Sequence, residues 1–280
     1  MNYNESYISN DLGFQFFIRN WIPETQPKGI IFLLHGLSDH GGRFTAVAEA
    51  MVNAGYIFIA PDLRGNGKSD GKRGHFDSLD QIMTDISFLL HEGSKPYPGL
   101  PLILYSQSMG GNLAINFALK FPTAVKCVVA SSPWLRLTSP PPSLLQTLAS
   151  KLVKKFPSLL IPNGLKSKNL CHDKEICHIY DTDPLIHWKI SLSSFFIIKD
   201  SGEWAIQNAA LLKVPMLLLH SKADPITSYS ASNEFSKNSN AFLTFTTFEE
   251  QFHELHNESI KNEVVATILD WINWQVSSAD

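Results

Sequence analysis

The sequence predicts an α/β protein, with a mostly parallel central sheet, helices on both faces and an inserted helical cap. Three observations carry this. Short, almost wholly apolar runs recur at Ile30 to Leu34, Tyr56 to Ala60, Leu102 to Tyr105, Val125 to Ala130 and Val214 to Leu219. They are too short for stable helices and apolar on both faces, as buried parallel strands are. Helical patterns separate them, and the alternation breaks once, between about residues 133 and 205.

At the start, residues 6 to 22 set Phe14, Phe16 and Ile18 against Gln15, Phe17 and Arg19, which predicts one or two antiparallel strands. Leu113, Ala114, Phe117, Ala118 and Phe121 recur at one-turn spacing until Pro122 stops the helix. Ile260, Val264, Val265, Ile268, Leu269 and Ile272 repeat that spacing near the C-terminus. The segment 133–205 opens on Ser139-Pro140-Pro141-Pro142 and keeps many large apolar residues, so it reads as an insertion rather than a linker. The expected division is a core of residues 1–132 and 206–280 with a cap of 133–205 between them. An insertion there lies over the C-terminal edge of the sheet, where open α/β sheets place their sites.

With 280 residues the chain is long enough for one large core. Apolar residues make up 44%, charged residues 18%, and the net charge is -3, so nothing resembles the basic footprint of a nucleic-acid binder. The N-terminus lacks the basic start and apolar run of a secretory signal, and no stretch approaches the roughly 18 apolar residues of a membrane span. The expected location is the cytoplasm, and the three cysteines agree with a reducing compartment. Cys171-His172 and Cys177-His178 fit no established zinc spacing, so no metal is expected. Gly65-Asn66-Gly67-Lys68-Ser69 ends like a phosphate loop, but Asp62 stands where that signature needs glycine and would repel phosphate. No cofactor is expected.

The stretch Leu104-Tyr105-Ser106-Gln107-Ser108-Met109-Gly110-Gly111 runs from a strand into a turn and then a helix. Such a turn strains the backbone at its serine and needs small residues two positions either side. Ser106, Gly110 and Gly111 meet that need, although Ser106 replaces the usual first glycine. A nucleophilic serine needs a base, and the base needs an orienting carboxylate. Asp224 follows one apolar strand after a short polar turn, and His253 follows the next strand-like run, Phe242 to Phe248. The order Ser, Asp, His at successive strand ends is that of a hydrolase triad. His256 is the alternative base, expected instead to be exposed at the start of the last helix; Glu249 and Glu250 read as surface charges. The backbone N–H groups of Met109 and Leu37 are the expected oxyanion donors. His35 is expected to brace its loop by hydrogen bonds rather than to catalyse.

With these residues in place, the chain resembles the monoacylglycerol lipase and lysophospholipase family of α/β-hydrolases, also labelled serine aminopeptidase S33. His35-Gly36-Leu37-Ser38-Asp39-His40-Gly41-Gly42-Arg43-Phe44 looks like its HG-x-x-E-H-x-x-R-Y, and the stretch from Asp62 to His75 looks like its D-x-R-G-H-G-x-S-x-G-x-R-G-H. Ser108-Met109-Gly110-Gly111, His253-Glu254-Leu255 and Asp183-Pro184-Leu185 complete the likeness, which runs over most of the length. It implies an α/β-hydrolase fold, the triad Ser108, Asp224 and His253, and a cap over an acyl-chain tunnel. The departures are Ser106 for Gly, Asp39 for Glu and Phe44 for Tyr. The last two fall where the family handles the polar head of its substrate, which makes Asp39, His40 and Arg43 candidates for substrate binding.

The expected activity is hydrolysis of a monoacylglycerol ester through an acyl-enzyme. A lysophospholipase or general carboxylesterase would use the same triad, and a non-catalytic binding protein would be expected to lack one of its members. In the cap, Leu144, Leu145, Leu148, Ala149, Leu152, Val153 and Phe156 share a helical face, with Gln146, Lys151, Lys154 and Lys155 mostly away from it. The expectation is that this face packs on the body or lines the tunnel. The alternative, for Leu144 to Phe156, is docking on an anionic lipid surface, a peripheral membrane contact.

Overall fold

The computed structural model describes residues 1–277. Strands β1 (Asn2–Ser9) and β2 (Gln15–Ile22) form an antiparallel hairpin, and β2 continues antiparallel onto β4 (Ile57–Pro61). From β4 the sheet is parallel through β3 (Ile30–Leu34), β5 (Leu102–Gln107), β6 (Cys127–Ser131), β9 (Met216–Ser221) and β10 (Leu243–Phe248). The order β1-β2-β4-β3-β5-β6-β9-β10 places β5 inside the sheet, its serine-bearing end flanked by β3 and β6. β3, β4, β6 and β9 bury every residue, which is why they read as unbroken apolar runs.

Helices α1 (Thr45–Asn53) and α8 (Lys261–Ser277) cover one face, sharing a core with Phe58, Tyr105 and Leu217. Helices α2 (Leu79–Ser94) and α3 (Met109–Lys120) pack with Phe32, Leu104 and Val128 on the other. Ser78 caps α2 by accepting the N–H of Gln81 at 3.1 Å. Arg19 on β2 is buried, and its Nη1 donates to Asp62 Oδ1 at 2.6 Å, because the β1 hairpin and the Asp62 loop close over that face of the strand.

Between β6 and β9 come α4 (Ser143–Leu152), the short strands β7 (Leu160–Pro162) and β8 (Lys189–Ser191), which pair antiparallel, α5 (Lys174–Thr182) and α6 (Leu192–Gln207). This segment is not uniform. α6 is docked on α3: Asn112 Nδ2 donates to Ile198 O at 3.0 Å, and Ser201 Oγ donates to Asn112 Oδ1 at 2.8 Å. Gly202 packs so closely against Leu135 that a side chain there would overlap its carbonyl. By contrast α4 buries none of its residues, and Leu144 is 72% exposed. The packing expected for its apolar face is therefore only partial, with Ala149 and Val153 half-buried and the leucines largely exposed: amphipathic spacing marks a face that favours leaving water but does not name what covers it. Among the described residues no helix is long and apolar enough to cross a membrane.

Candidate active site

Ser108 sits between β5 and α3 with φ 56 and ψ -119, a left-handed conformation that serine rarely adopts. Its neighbours hold it there. Its N–H donates to Ser131 O at 3.0 Å and its carbonyl accepts the N–H of Trp134 at 2.9 Å. The turn also needs close approach of backbone to backbone, since a Cβ on Gly110 would overlap Leu34 O and one on Gly111 would stand 2.9 Å from Pro133 Cα. Ser106 is buried and its Oγ donates to Val129 O at 2.8 Å, so the extra hydroxymethyl group is accommodated by the sheet.

Asp224 follows β9 and His253 follows β10, and the structure brings them together with Nδ1 of His253 2.8 Å from Asp224 Oδ2. A carboxylate only accepts, so Nδ1 carries the hydrogen and Nε2 is left with a lone pair. Asp224 Oδ1 accepts the N–H groups of Ile226 at 2.7 Å and Thr227 at 3.0 Å. Burial favours the neutral acid, but His253 and further donors outweigh it and hold the Asp224 carboxyl far below the usual carboxylate range. For His253, burial opposes the charged ring; Asp224 first, then Glu254 and Asp39, overcome that and raise it above the ordinary imidazole value.

Two partners of this pair escaped the sequence reading. Thr227 Oγ lies 2.8 Å from Asp224 Oδ2, 3.2 Å from His253 Nδ1 and 3.1 Å from Ser132 O, tying the acid and base to the strand end beside Ser108. Glu254, adjacent to His253, is clamped by Arg43 through two bonds of 2.7 and 2.8 Å. The only sequence signal for Glu254 was its place in the His-Glu-Leu motif, and Thr227 had none beyond lying three residues past Asp224.

Asp39, His40 and Arg43 are already engaged with protein. Arg43 bonds Asp39 at 3.1 Å as well as Glu254, and its guanidinium lies 4.6 Å from the Tyr180 ring centre on α5. His40 Nε2 lies 2.8 Å from Asp183 Oδ2. His256 is not exposed and does not begin the last helix. It lies in a short 3-10 turn ahead of α8, stacked on Phe44 at 4.7 Å, and burial pushes its imidazole down to about 4. His35 accepts the N–H of Leu63 at Nε2, 2.9 Å, and donates from Nδ1 to Gly36 O, 2.9 Å, so it braces its loop. The glycine-rich loop folds around Asp62, whose Oδ2 accepts the N–H of Lys68 at 2.8 Å. Glu249 is exposed and paired with Lys222 at 2.7 Å, and Glu250 is also exposed. His172 stacks on Phe252 and bonds Glu258 at 2.9 Å, while Cys177 Sγ donates to Ser167 O.

A cavity of about 450 Å³ opens onto Ser108. Leu37, Trp134, Leu137, Ile161, Phe195 and Ile226 make its wall apolar, with Asn163, Lys166 and Asn169 among the polar residues along it. Leu37 shares this cavity with the serine, and Met109 opens α3, where first-turn N–H groups have no acceptor within the helix.

The sheet, the strained serine turn and the acid-base pair at adjacent strand ends define an α/β-hydrolase. The chain matches the family described as serine aminopeptidase, S33 over residues 25–260, and belongs to it. The solved monoacylglycerol lipase of Paleococcus ferrophilus superposes with a TM-score of 0.82 at 30% identity, covering 99% of each chain. Human monoglyceride lipase is 29% identical over 284 residues, covering 98% of this chain and 91% of that protein. An uncharacterized abhydrolase domain-containing protein of Dictyostelium discoideum is 32% identical over 266 residues; the match takes in 94% of this chain but only 28% of that longer protein.

Proposed function

We propose that this ester-bond hydrolase cleaves the acyl ester of a monoacylglycerol through an acyl-enzyme on Ser108. The observation that carries the reading is the Asp224–His253 pair beside a largely apolar cavity that opens on a strained serine; the monoacylglycerol lipases among its relatives support the substrate class. His253 Nε2 takes the Ser108 hydroxyl proton as Oγ attacks the ester carbonyl, and the N–H groups of Leu37 and Met109 receive the oxyanion. The C–O bond breaks as Nε2–H gives its proton to the departing glycerol oxygen. Water then attacks the acyl-serine by the same route, releasing the fatty acid and restoring Ser108.

Residues 133–205 serve as the cap, with β7 and the 163–169 loop over the cavity mouth. α4 is the part of it that meets a lipid surface: Leu144, Leu145, Leu148, Leu152 and Phe156 are all exposed, and Lys151, Lys154 and Lys155 accompany them. Asp39, His40 and Arg43 act from behind the site, setting the loop of His253 and meeting the cap through Asp183 and Tyr180.

Ser108→Ala tests the reading. It is expected to abolish hydrolysis of monoacylglycerols and of short p-nitrophenyl esters while its urea unfolding stays close to wild type; turnover retained by that variant overturns the assignment of the nucleophile. Relative kcat/KM on monoacylglycerols, lysophospholipids and short esters separates a monoacylglycerol lipase from a lysophospholipase or general carboxylesterase.

A further inference from the structure

The Asp224 carboxylate meets a second histidine. His220, on β9 and fully buried, places Nε2 3.2 Å from Asp224 Oδ2 and 3.1 Å from Thr227 O. Both of these only accept, and the Thr227 hydroxyl, 3.4 Å from Nε2, is turned to Asp224 Oδ2 at 2.8 Å, so Nε2 carries a hydrogen whether the ring is neutral or charged. Its Nδ1 lies 2.7 Å from Ser232 Oγ on α7 (Tyr229–Asn238), a hydroxyl that can donate to a neutral ring or accept from a charged one. The ring thus keeps its orientation in either state, with Tyr229 edge-on to it at 6.1 Å.

We infer that His220 is a positioning residue, which fixes the Asp224 carboxylate and shares its Oδ2 with His253. The inference rests on the roles proposed for Ser108, Asp224 and His253. Oδ2 receives His253 Nδ1, the Thr227 hydroxyl and His220 Nε2, while Oδ1 faces two backbone N–H groups. Each added donor withdraws negative charge from the oxygen that stabilises the His253 imidazolium. His220 therefore moderates how strongly Asp224 raises the base, keeping more of His253 unprotonated near neutral pH. Glu254 and Asp39, which are acidic, also raise His253, and the buried His256 interacts with it; all three lie outside the His220 contact.

The experiment compares His220→Leu, which removes the donor, with His220→Gln, whose amide can restore it. The readout is the pH dependence of kcat and kcat/KM on a soluble p-nitrophenyl ester. In the Leu variant the acid limb is expected to move to higher pH and kcat/KM just above the wild-type limb to fall about 10-fold, with KM little changed; outer-shell partners of functional histidines have effects of this order. The Gln variant is expected to recover most of both. A Leu variant that melts at lower temperature but keeps the wild-type limb overturns the inference, because a packing role alone would leave the profile in place. If the Leu variant does not fold, Ser232→Ala, which frees the ring to turn away, is read by the same criterion. Fluorophosphonate labelling of wild type separates the two levels. An unlabelled Ser108 overturns the proposed function and the inference with it, whereas a labelled Ser108 with an unmoved limb overturns the inference alone.

Discussion

Arg43 grips Glu254 with two parallel bonds, 2.7 and 2.8 Å, one residue beyond His253, and both side chains are buried. The same guanidinium bonds Asp39. Arg43→Met would leave two buried carboxylates without their cation, a change that costs on the order of 3–5 kcal/mol for a buried pair. The expected result is a urea midpoint lowered accordingly, together with reduced ester turnover because the loop carrying His253 loses its anchor. Arg43→Lys, which keeps charge but not the planar fork, should fall between. Equilibrium unfolding of the variants checks this, and an Arg43→Met protein of wild-type stability would contradict it.

The electrostatics of Asp224 and His253 set a pH dependence with a definite sign. In the proposed mechanism His253 must be unprotonated to accept the Ser108 proton, and its pKa is raised in the folded protein. The acid limb of kcat/KM should therefore lie above the ordinary imidazole value of about 6.5. Asp224→Asn removes the largest group raising it, so residual activity should show a limb at lower pH, with kcat down by roughly 10³- to 10⁴-fold, the scale found for the serine protease triad. Stability follows the opposite halves of the pair. The contribution of Asp224, whose pKa is depressed, is present above its unfolded value and lost as pH falls; that of His253 is present below its unfolded value and lost as pH rises through the raised one.

Glycine at position 106 would match the usual elbow, but the bond from Ser106 Oγ to Val129 O gives its removal a cost. Ser106→Gly removes a buried hydrogen bond and loosens a strand, together costing about 1–2 kcal/mol of stability, while the nucleophile turn retains its space. Thermal melting should drop and kcat on a short ester should stay near wild type. Ser106→Val places a branched side chain between Leu34 and Ala130, its partners in the sheet, and should lower both.

What the sequence disclosed and what it withheld divide along physical lines. Central strands such as β3 and the Met216–Leu219 part of β9 were legible because parallel strands are covered on both faces, so their positions are apolar. Ser108, Asp224 and His253 stood out in the sequence because each follows a strand; the structure pairs Asp224 with His253 and sets Ser108 in a strained turn on the cavity. The burial of Arg19 was not legible, because the polar positions of an alternating strand carry no mark of the partner, here Asp62, that closes over them. His256 was misplaced because the turn before α8 folds inward onto Phe44, a contact across more than two hundred residues of chain. Thr227 and His220 carry no local pattern; only the packing of β9, α7 and the 224–228 turn brings them to one carboxylate.

The exposed face of α4 gives the last test. Leu144 and Leu148 lie one turn apart, and with Leu145 and Leu152 they form an apolar stripe that stays 40–72% exposed. Leaving such a stripe in water is unfavourable by about 25 cal/mol for each Å² that could be buried, and nearby lysines add about 1 kcal/mol each at an anionic membrane surface. Lys151, Lys154 and Lys155 are exposed at and just beyond the C-terminal end of this stripe, where an anionic surface beside it would meet them. The wild-type protein should sediment with vesicles containing anionic lipid, less well in high salt and less well with neutral vesicles. Replacing both Leu144 and Leu148 by Ser should weaken sedimentation in all of these conditions, whereas Lys151→Gln with Lys154→Gln should remove chiefly the salt-sensitive part. Neither pair lines the Ser108 cavity, so kcat/KM on a soluble short ester should stay unchanged while turnover of vesicle-borne monoacylglycerol falls. Equal vesicle binding by wild type and the Leu144, Leu148 double variant would show that α4 is not the docking element.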